Sequence, residues 1–151
     1  MTGSNGLLGQ KLTDLYLQHE DVELIATGLG NNRHPEEEGF TYAQMDITKE
    51  EEVLKVVDEY QPDCIINTAA MTNVDACEDN KSLCDALNVD AVRYLSTAAK
   101  KAGAHLIHLS TDFIFDGTEG PYKEDDQPNP LSYYGHSKLK GEQIVTDICD
   151  K

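Results

Sequence analysis

Positive charge is scarce in this chain. Twelve Lys and Arg face 28 Asp and Glu, for a formal net charge of −16. Such a surface repels phosphates, which argues against nucleic acid or an anionic membrane as a partner. Long apolar stretches are lacking too, so nothing reads as a membrane span or a targeting segment. The four cysteines, Cys64, Cys77, Cys84 and Cys149, make no CxxC pair and no zinc-ligand spacing. Cys64 stands in an apolar strand pattern and is expected to be a small buried hydrophobe. This cysteine usage fits a reducing cytoplasm. The five histidines do not cluster, and His105 and His108 are expected on opposite faces of one strand. The acidic runs 36–38, 50–52 and 124–126 read as solvated surface, with no metal site expected. No repeat and no flexible linker interrupts the chain.

What remains is an ordinary globular composition: 151 residues, 39% hydrophobic and 26% charged, enough for one domain with a core. Strand and helix patterns alternate. A helix is expected over about residues 6–19, its apolar side marked by Leu8, Leu12, Leu15 and Tyr16. Strands follow from Val22 to Thr27 and near Phe40 to Met45. Thr48 and Glu51 have the spacing of a capping box, ahead of the stripe Val53, Val56, Val57 and Tyr60. After the strand Cys64-Ile65-Ile66, one long helix should carry Leu83, Leu87, Ala91, Leu95 and Ala98 on one face and stop at Gly103. An apolar run from Ala104 to Leu109 and a last helix from Tyr134 complete the order. The alternation implies an α/β fold with a parallel, doubly wound sheet.

Three short segments carry chemistry. Gly3, Gly6 and Gly9 recur every third residue at the head of the first helix. Glycines there allow a tight turn and close approach of a pyrophosphate, and the helix start offers free N–H groups. A plain surface turn fits the spacing equally, and only Met1 precedes the motif where a buried strand should stand. Ser110, Thr111 and Asp112 follow an apolar strand, where α/β proteins bind ligands; they could also merely close the strand in a turn. Tyr134 and Lys138 lie four apart, so on a helix a phenol and an ammonium share one face. A nearby positive charge favours the ionised phenol and suits it to proton transfer at a carbonyl or alcohol. By itself that spacing also fits a solvated helix.

Taken together, these segments resemble the short-chain dehydrogenase/reductase superfamily and its extended, nucleotide-sugar-modifying branch. TGSNGLLG (2–9) is similar to that branch's TGxxGxxG loop, and Asn67-Thr68-Ala69-Ala70 to its NAA(A/G) segment. Ser110 to Gly117 (STDFIFDG) and Tyr134 to Lys138 (YGHSK) resemble its Ser/Thr–Tyr–Lys site. STDFIFDG, Gly120-Pro121-Tyr122, Pro128-Asn129-Pro130 and Met71 to Asp75 most resemble the dTDP-4-dehydrorhamnose reductase family. The resemblance covers the whole chain in order. It implies a Rossmann-like NAD(P)-binding domain over residues 1–151, cut at both ends: the first, central strand and the C-terminal substrate region are expected to be missing.

The resemblance also implies roles. Tyr134 would protonate, Lys138 would lower its pKa and hold the nicotinamide ribose, and Thr111 would polarise the substrate carbonyl. Gly3, Asn5, Gly6, Leu7 and Gly9 would meet the pyrophosphate; Asp46 and Ile47 would border the adenine; Asn67, Ala69 and Ala70 would line the cofactor cleft. For Asp46 an acidic turn ahead of Thr48 is the competing reading. Asp112 and Phe113 would touch the substrate. No acid occurs between Glu23 and Glu36, where an NAD site places a carboxylate, and Arg33 is the nearest cation. NADP(H) is therefore the expected cofactor, with NAD(H) as the alternative and Arg33 either on the 2′-phosphate or simply solvated. The implied reaction is reduction of the 4-keto group of a nucleoside-diphosphate deoxyhexose, in a longer protein that could form a homodimer and of which this piece alone is inactive. The rivals are an epimerase holding NAD tightly, a dehydratase with acids beside the hydroxyl, and a non-catalytic binding protein like the regulatory subunit of methionine adenosyltransferase.

Overall fold

A computed structural model describes residues 1–149. Its strands are all parallel. β1 (Ile25–Gly28) pairs with β2 (Thr41–Gln44), and β3 (Cys64–Asn67) pairs with β4 (His105–His108). Between the two pairs run Met1 to Ser4. The Met1 nitrogen donates to the Ile25 carbonyl and its own carbonyl accepts from the Thr27 N–H, at 2.7 and 2.8 Å. On the other side the Thr2 N–H donates to the Ile66 carbonyl at 2.9 Å, and Thr2 bridges Asn67. Among the described residues no strand forms at the expected central position, and the two pairs remain separate sheets joined there by these backbone bonds and the single Thr2–Asn67 bridge. Cys64, expected to be a buried hydrophobe, is exposed at the start of β3.

The helices connect these strands: α1 (Leu7–Tyr16), α2 (Glu50–Tyr60), α3 (Val74–Asp79), α4 (Lys81–Asp85), α5 (Ala91–Ala102) and α6 (Tyr133–Ile148). α2 packs on α5 and α5 on α6, and Val53, Val57, Leu95 and Ala98 meet Met45, Ile65 and Leu106 in the core. That stripe of α2 follows the 3.6-residue period. Its expected capping box does not form. The Thr48 hydroxyl donates to Asp46 at 2.7 Å, and Glu52, not Glu51, reaches back to the Asp46 N–H. The Asp-x-Thr spacing offers a closer carboxylate than the helix N–H groups do, so the helix starts one residue later, behind Lys49.

Two further expectations are corrected. α1 does not bury its leucine stripe: Leu8 and Leu15 are 44% and 46% exposed, while Gly9 and Thr13 face inward. Close approach to the glycine turn selects small residues for the buried side. The long helix is also not one regular element. A π-turn at Ala86–Asp90 separates α4 from α5 and shifts the buried phase, so Cys84 is buried and Leu83 is 44% exposed. Gly103 ends α5 at φ 70, as its position suggested.

Candidate active site

The first cluster of sequence-predicted residues lies where Met1–Ser4 turns into α1. Gly3 has φ 69, and a Cβ there would stand 2.7 Å from both the Ala69 nitrogen and Thr68 Oγ1. No side chain fits that conformation and that contact together. Gly9 serves another end: its Cβ would stand 2.3 Å from the Gly3 carbonyl oxygen, so glycine lets α1 close onto the turn. Gly6 caps α1 with no side-chain bond, which leaves N–H groups at a positive dipole end. A cavity of about 390 Å3 opens over this turn, lined by Gly3, Asn5, Gly6, Arg33, Asp46, Ile47, Ala69 and Ala70, with Gly28, Thr68 and Leu87 beside them.

Leaving aside Tyr134 and Lys138, expected at the nicotinamide end, three residues of the expected cofactor set do not line it. Leu7 is 83% exposed, and Gly9 is buried within the turn. The Asn67 side chain points into the sheet, where it accepts from the Thr2 hydroxyl at 2.6 Å and its amide faces His108 Nδ1 at 3.0 Å. A strand's alternation placed Asn67 at the right level but the polar neighbours Thr2 and His108 decide its direction. Asp46 combines both readings. It lines the cavity, and its carboxylate accepts from the Thr48 N–H and hydroxyl in a turn.

The second cluster is at the end of β4. Ser132 caps α6 by accepting from the Gly135 N–H at 3.1 Å, and this starts the helix so that Tyr134 and Lys138 both face inward, at 9% and 3% exposure. The Lys138 ammonium donates to the Leu109 carbonyl, two residues before Thr111. Burial pushes its pKa down, against the smaller pull of Glu142. Thr111 caps a 3₁₀ turn, Asp112–Ile114, by accepting from the Phe113 N–H. Phe113 then meets the edge of the Tyr134 ring, 5.9 Å between centroids at 70°. Gly135 makes this approach feasible, because a Cβ would stand 2.3 Å from the Phe113 carbonyl oxygen. The structure thus brings Thr111, Phe113, Tyr134 and Lys138 to one place. Asp112 and Phe113 border a separate, open cavity of about 430 Å3 with Phe115, Tyr122 and Leu131.

Of the two adjacent tyrosines only Tyr134 is chemically free. The Tyr133 hydroxyl donates to Asp85 at 2.7 Å, which pushes its pKa up to about 12. The Tyr134 hydroxyl has no hydrogen-bond partner among the described residues. Residues that sequence reasoning missed hold this end together. Asn88, in the π-turn, accepts from the Met71 N–H at 2.8 Å and donates to the Met71 carbonyl and to Ser137 Oγ at 3.0 and 2.9 Å. Its position inside a helical stripe gave no sign of this. His108 faces the same region with its Nε2 buried and unpaired, and desolvation followed by the nearby Lys138 charge lowers its pKa to about 4. Gly141 fits against it and against the Asn88 carbonyl, 3.2 and 2.9 Å from where a Cβ would be.

Comparison with known proteins agrees with this arrangement. The whole of residues 1–151 matches the family described as the RmlD substrate binding domain. A probable low-salt glycan biosynthesis reductase of Haloferax volcanii is 40% identical over 98% of this chain and 48% of its own length. The methionine adenosyltransferase 2 subunit beta of Bos taurus is 35% identical over 97% of this chain and 42% of its own. The crystal structure of a Bacillus anthracis dTDP-4-dehydrorhamnose reductase in complex with NADP superposes with a TM-score of 0.78 at 35% identity, over 99% of this chain and 49% of that one. The chain spans about half the length of these relatives. By its match from first residue to last, and with the Rossmann-like α/β arrangement of its structural neighbours, the chain belongs to the RmlD substrate-binding domain family.

Proposed function

We infer that this chain carries the cofactor-binding and proton-transferring residues of an NADPH-dependent reductase acting on the 4-keto group of a nucleoside-diphosphate deoxyhexose. The observation that carries the reading is the buried Tyr134–Lys138 face of α6, with a free phenol, set against the Thr111 turn. The glycine turn fits a dinucleotide: Gly3 packs against Ala69 as no residue with a Cβ could, α1 begins uncapped, and the cavity above reaches Arg33 and Asp46. Gly3, Asn5 and Gly6 would hold the pyrophosphate, Arg33 the 2′-phosphate, and Asp46 and Ile47 the adenine end. When bound, the nicotinamide supplies a hydride.

The chain's own residues do the rest. Thr111 orients the substrate carbonyl through its hydroxyl, and Tyr134 gives its phenolic proton to the oxygen as charge develops there. Lys138, buried against the Leu109 carbonyl, presents a fixed positive charge that favours the phenolate left behind. Asp112 and Phe113 form the wall nearest the substrate. Tyr133, tied to Asp85, takes no part. The test is to follow NADPH consumption on a dTDP-4-keto-6-deoxyhexose by the full-length protein. Consumption that requires both Tyr134 and Thr111 supports the reading. Retained NADPH binding with no turnover on any 4-keto nucleotide sugar moves the weight to a binding protein, as in the methionine adenosyltransferase subunit to which the chain is similar.

A further inference from the structure

The loop 29–33 carries Arg33, yet it has almost no structure of its own. Gly30 takes φ 74, and among the described residues no backbone–backbone hydrogen bond involves residues 29 to 33. Two side chains hold it instead. The Asn5 amide, projecting from the glycine turn, donates towards the Leu29 and Asn31 carbonyls at 3.3 and 3.0 Å and to the Tyr42 hydroxyl at 3.1 Å. Asn5 Oδ1 accepts from the Arg33 N–H at 2.9 Å. The Tyr42 hydroxyl passes the chain on, donating to the Gly30 carbonyl at 2.8 Å. One asparagine, its two amide N–H bonds shared among three acceptors, and one tyrosine thereby reach three consecutive carbonyls and the N–H of Arg33. Gly28 leaves the room for it, since a Cβ there would stand 3.0 Å from Asn5 Nδ2 and 3.1 Å from the Tyr42 oxygen.

We propose that Asn5 is a specificity-determining positioning residue: by clamping the 29–33 loop to the phosphate-binding turn, it sets where Arg33 stands and so sets the choice between NADPH and NADH. The proposal rests on the cofactor reading above. Its physical basis is that Arg33, exposed and without an ion-pair partner among the described residues, gains discrimination only if its backbone is fixed. Holding the backbone removes the loop's share of the ordering cost of meeting a phosphate and sets where the side chain starts. Both ends of the clamp lie in the same cavity, so the turn that meets the pyrophosphate and the loop that meets the adenosine ribose move as one piece. Tyr42 is the second member of the clamp and does not line the cavity, so it acts on the cofactor only through the loop.

The experiment is fluorescence titration of NADPH and NADH against wild type, Asn5→Ala, Tyr42→Phe, Arg33→Ala and the double variant Asn5→Ala/Arg33→Ala. Asn5→Ala should weaken NADPH about tenfold more than NADH, the scale of one charge-assisted contact. Tyr42→Phe should move the ratio in the same direction by less, and it carries the test should Asn5→Ala not fold. In the Arg33→Ala background, removing Asn5 should leave the NADPH-to-NADH ratio unchanged. Equal weakening of both cofactors by Asn5→Ala, or a ratio that still moves in the Arg33→Ala background, overturns the proposal and leaves Asn5 a structural clamp. A different result marks failure of the underlying reading: wild type that binds neither cofactor, or an Arg33→Ala ratio equal to that of wild type.

Discussion

The two ends of the candidate site are held by different physics. At the glycine turn, side-chain amides and hydroxyls stitch loops that have little packing: Asn5 and Tyr42 fix the 29–33 loop, and Asp46 fixes Thr48. At the Tyr134 end, a helix closes on a 3₁₀ turn through missing side chains, Gly135 against Phe113 and Gly141 against Asn88, over a buried polar knot of Asn88, Ser137 and Cys84. The difference suits the tasks. On the proposed reading a dinucleotide is long and is met at separate points, so side-chain bonds that pin a loop to the turn suffice. Proton transfer needs atoms fixed to fractions of an ångström, which close packing supplies.

The comparison breaks most sharply at Tyr134. Tyr134→Phe keeps the ring against Phe113 and removes only the proton, so turnover should fall by about 10²–10⁴-fold while NADPH affinity stays within a few-fold. Steady-state rates and a binding titration check both halves, and wild-type-like turnover would remove Tyr134 from the chemistry. Next comes a matched pair of glycines. Gly135→Ala should push the Thr111 turn away and cost turnover up to about 10²-fold, with cofactor affinity little changed. Gly3→Ala should do the reverse, losing cofactor affinity first, because its Cβ runs into Thr68 and Ala69 at a positive φ and the turn must shift. Should both variants lose the same property, the two ends are not separable.

Lys138→Met sits between the two regions and should lower turnover and cofactor binding together, each by about tenfold or more. A loss confined to turnover would restrict the ammonium to the proton-transfer step. The smallest effect concerns pH. The folded pKa of His108 is lowered to about 4 from the ordinary 6.5 by burial and by the Lys138 charge. Between those values the unfolded chain binds the extra proton and the folded chain does not, so stability falls as pH drops from about 6.5 to about 4 and levels off below. His108→Gln should flatten that part of the profile in a denaturation series. An unchanged slope would show that the acidic loss comes from carboxylates instead.

Much of the Tyr134 end was legible in the sequence. Tyr134 and Lys138 share a face through helical spacing alone, whereas the close approach at Gly135 emerged only in the structure. The Gly3, Gly6 and Gly9 spacing likewise announced a turn into a helix. Direction was not legible. Whether Asn67 faced a cleft or the sheet depended on Thr2 and His108, which are 65 and 41 residues away along the chain. The same holds for Thr48, whose expected helix cap lost to the carboxylate of Asp46, and for Cys64, whose apolar strand pattern did not reveal its exposure.

Local periodicity and turn chemistry act within about one helical turn, and that range determined the order of elements, the parallel alternation, the glycine turn and the Tyr–Lys face. Only the tertiary structure decided that Met1–Ser4 bridges the two strand pairs, that a π-turn turns Asn88 inward, that Tyr133 is tied up while Tyr134 is free, and that Asn5 governs the loop of Arg33. Each of those rests on a polar atom finding its partner across the fold. A hydrogen bond is set by distance in space and not along the chain, so no window of sequence contains both of its ends.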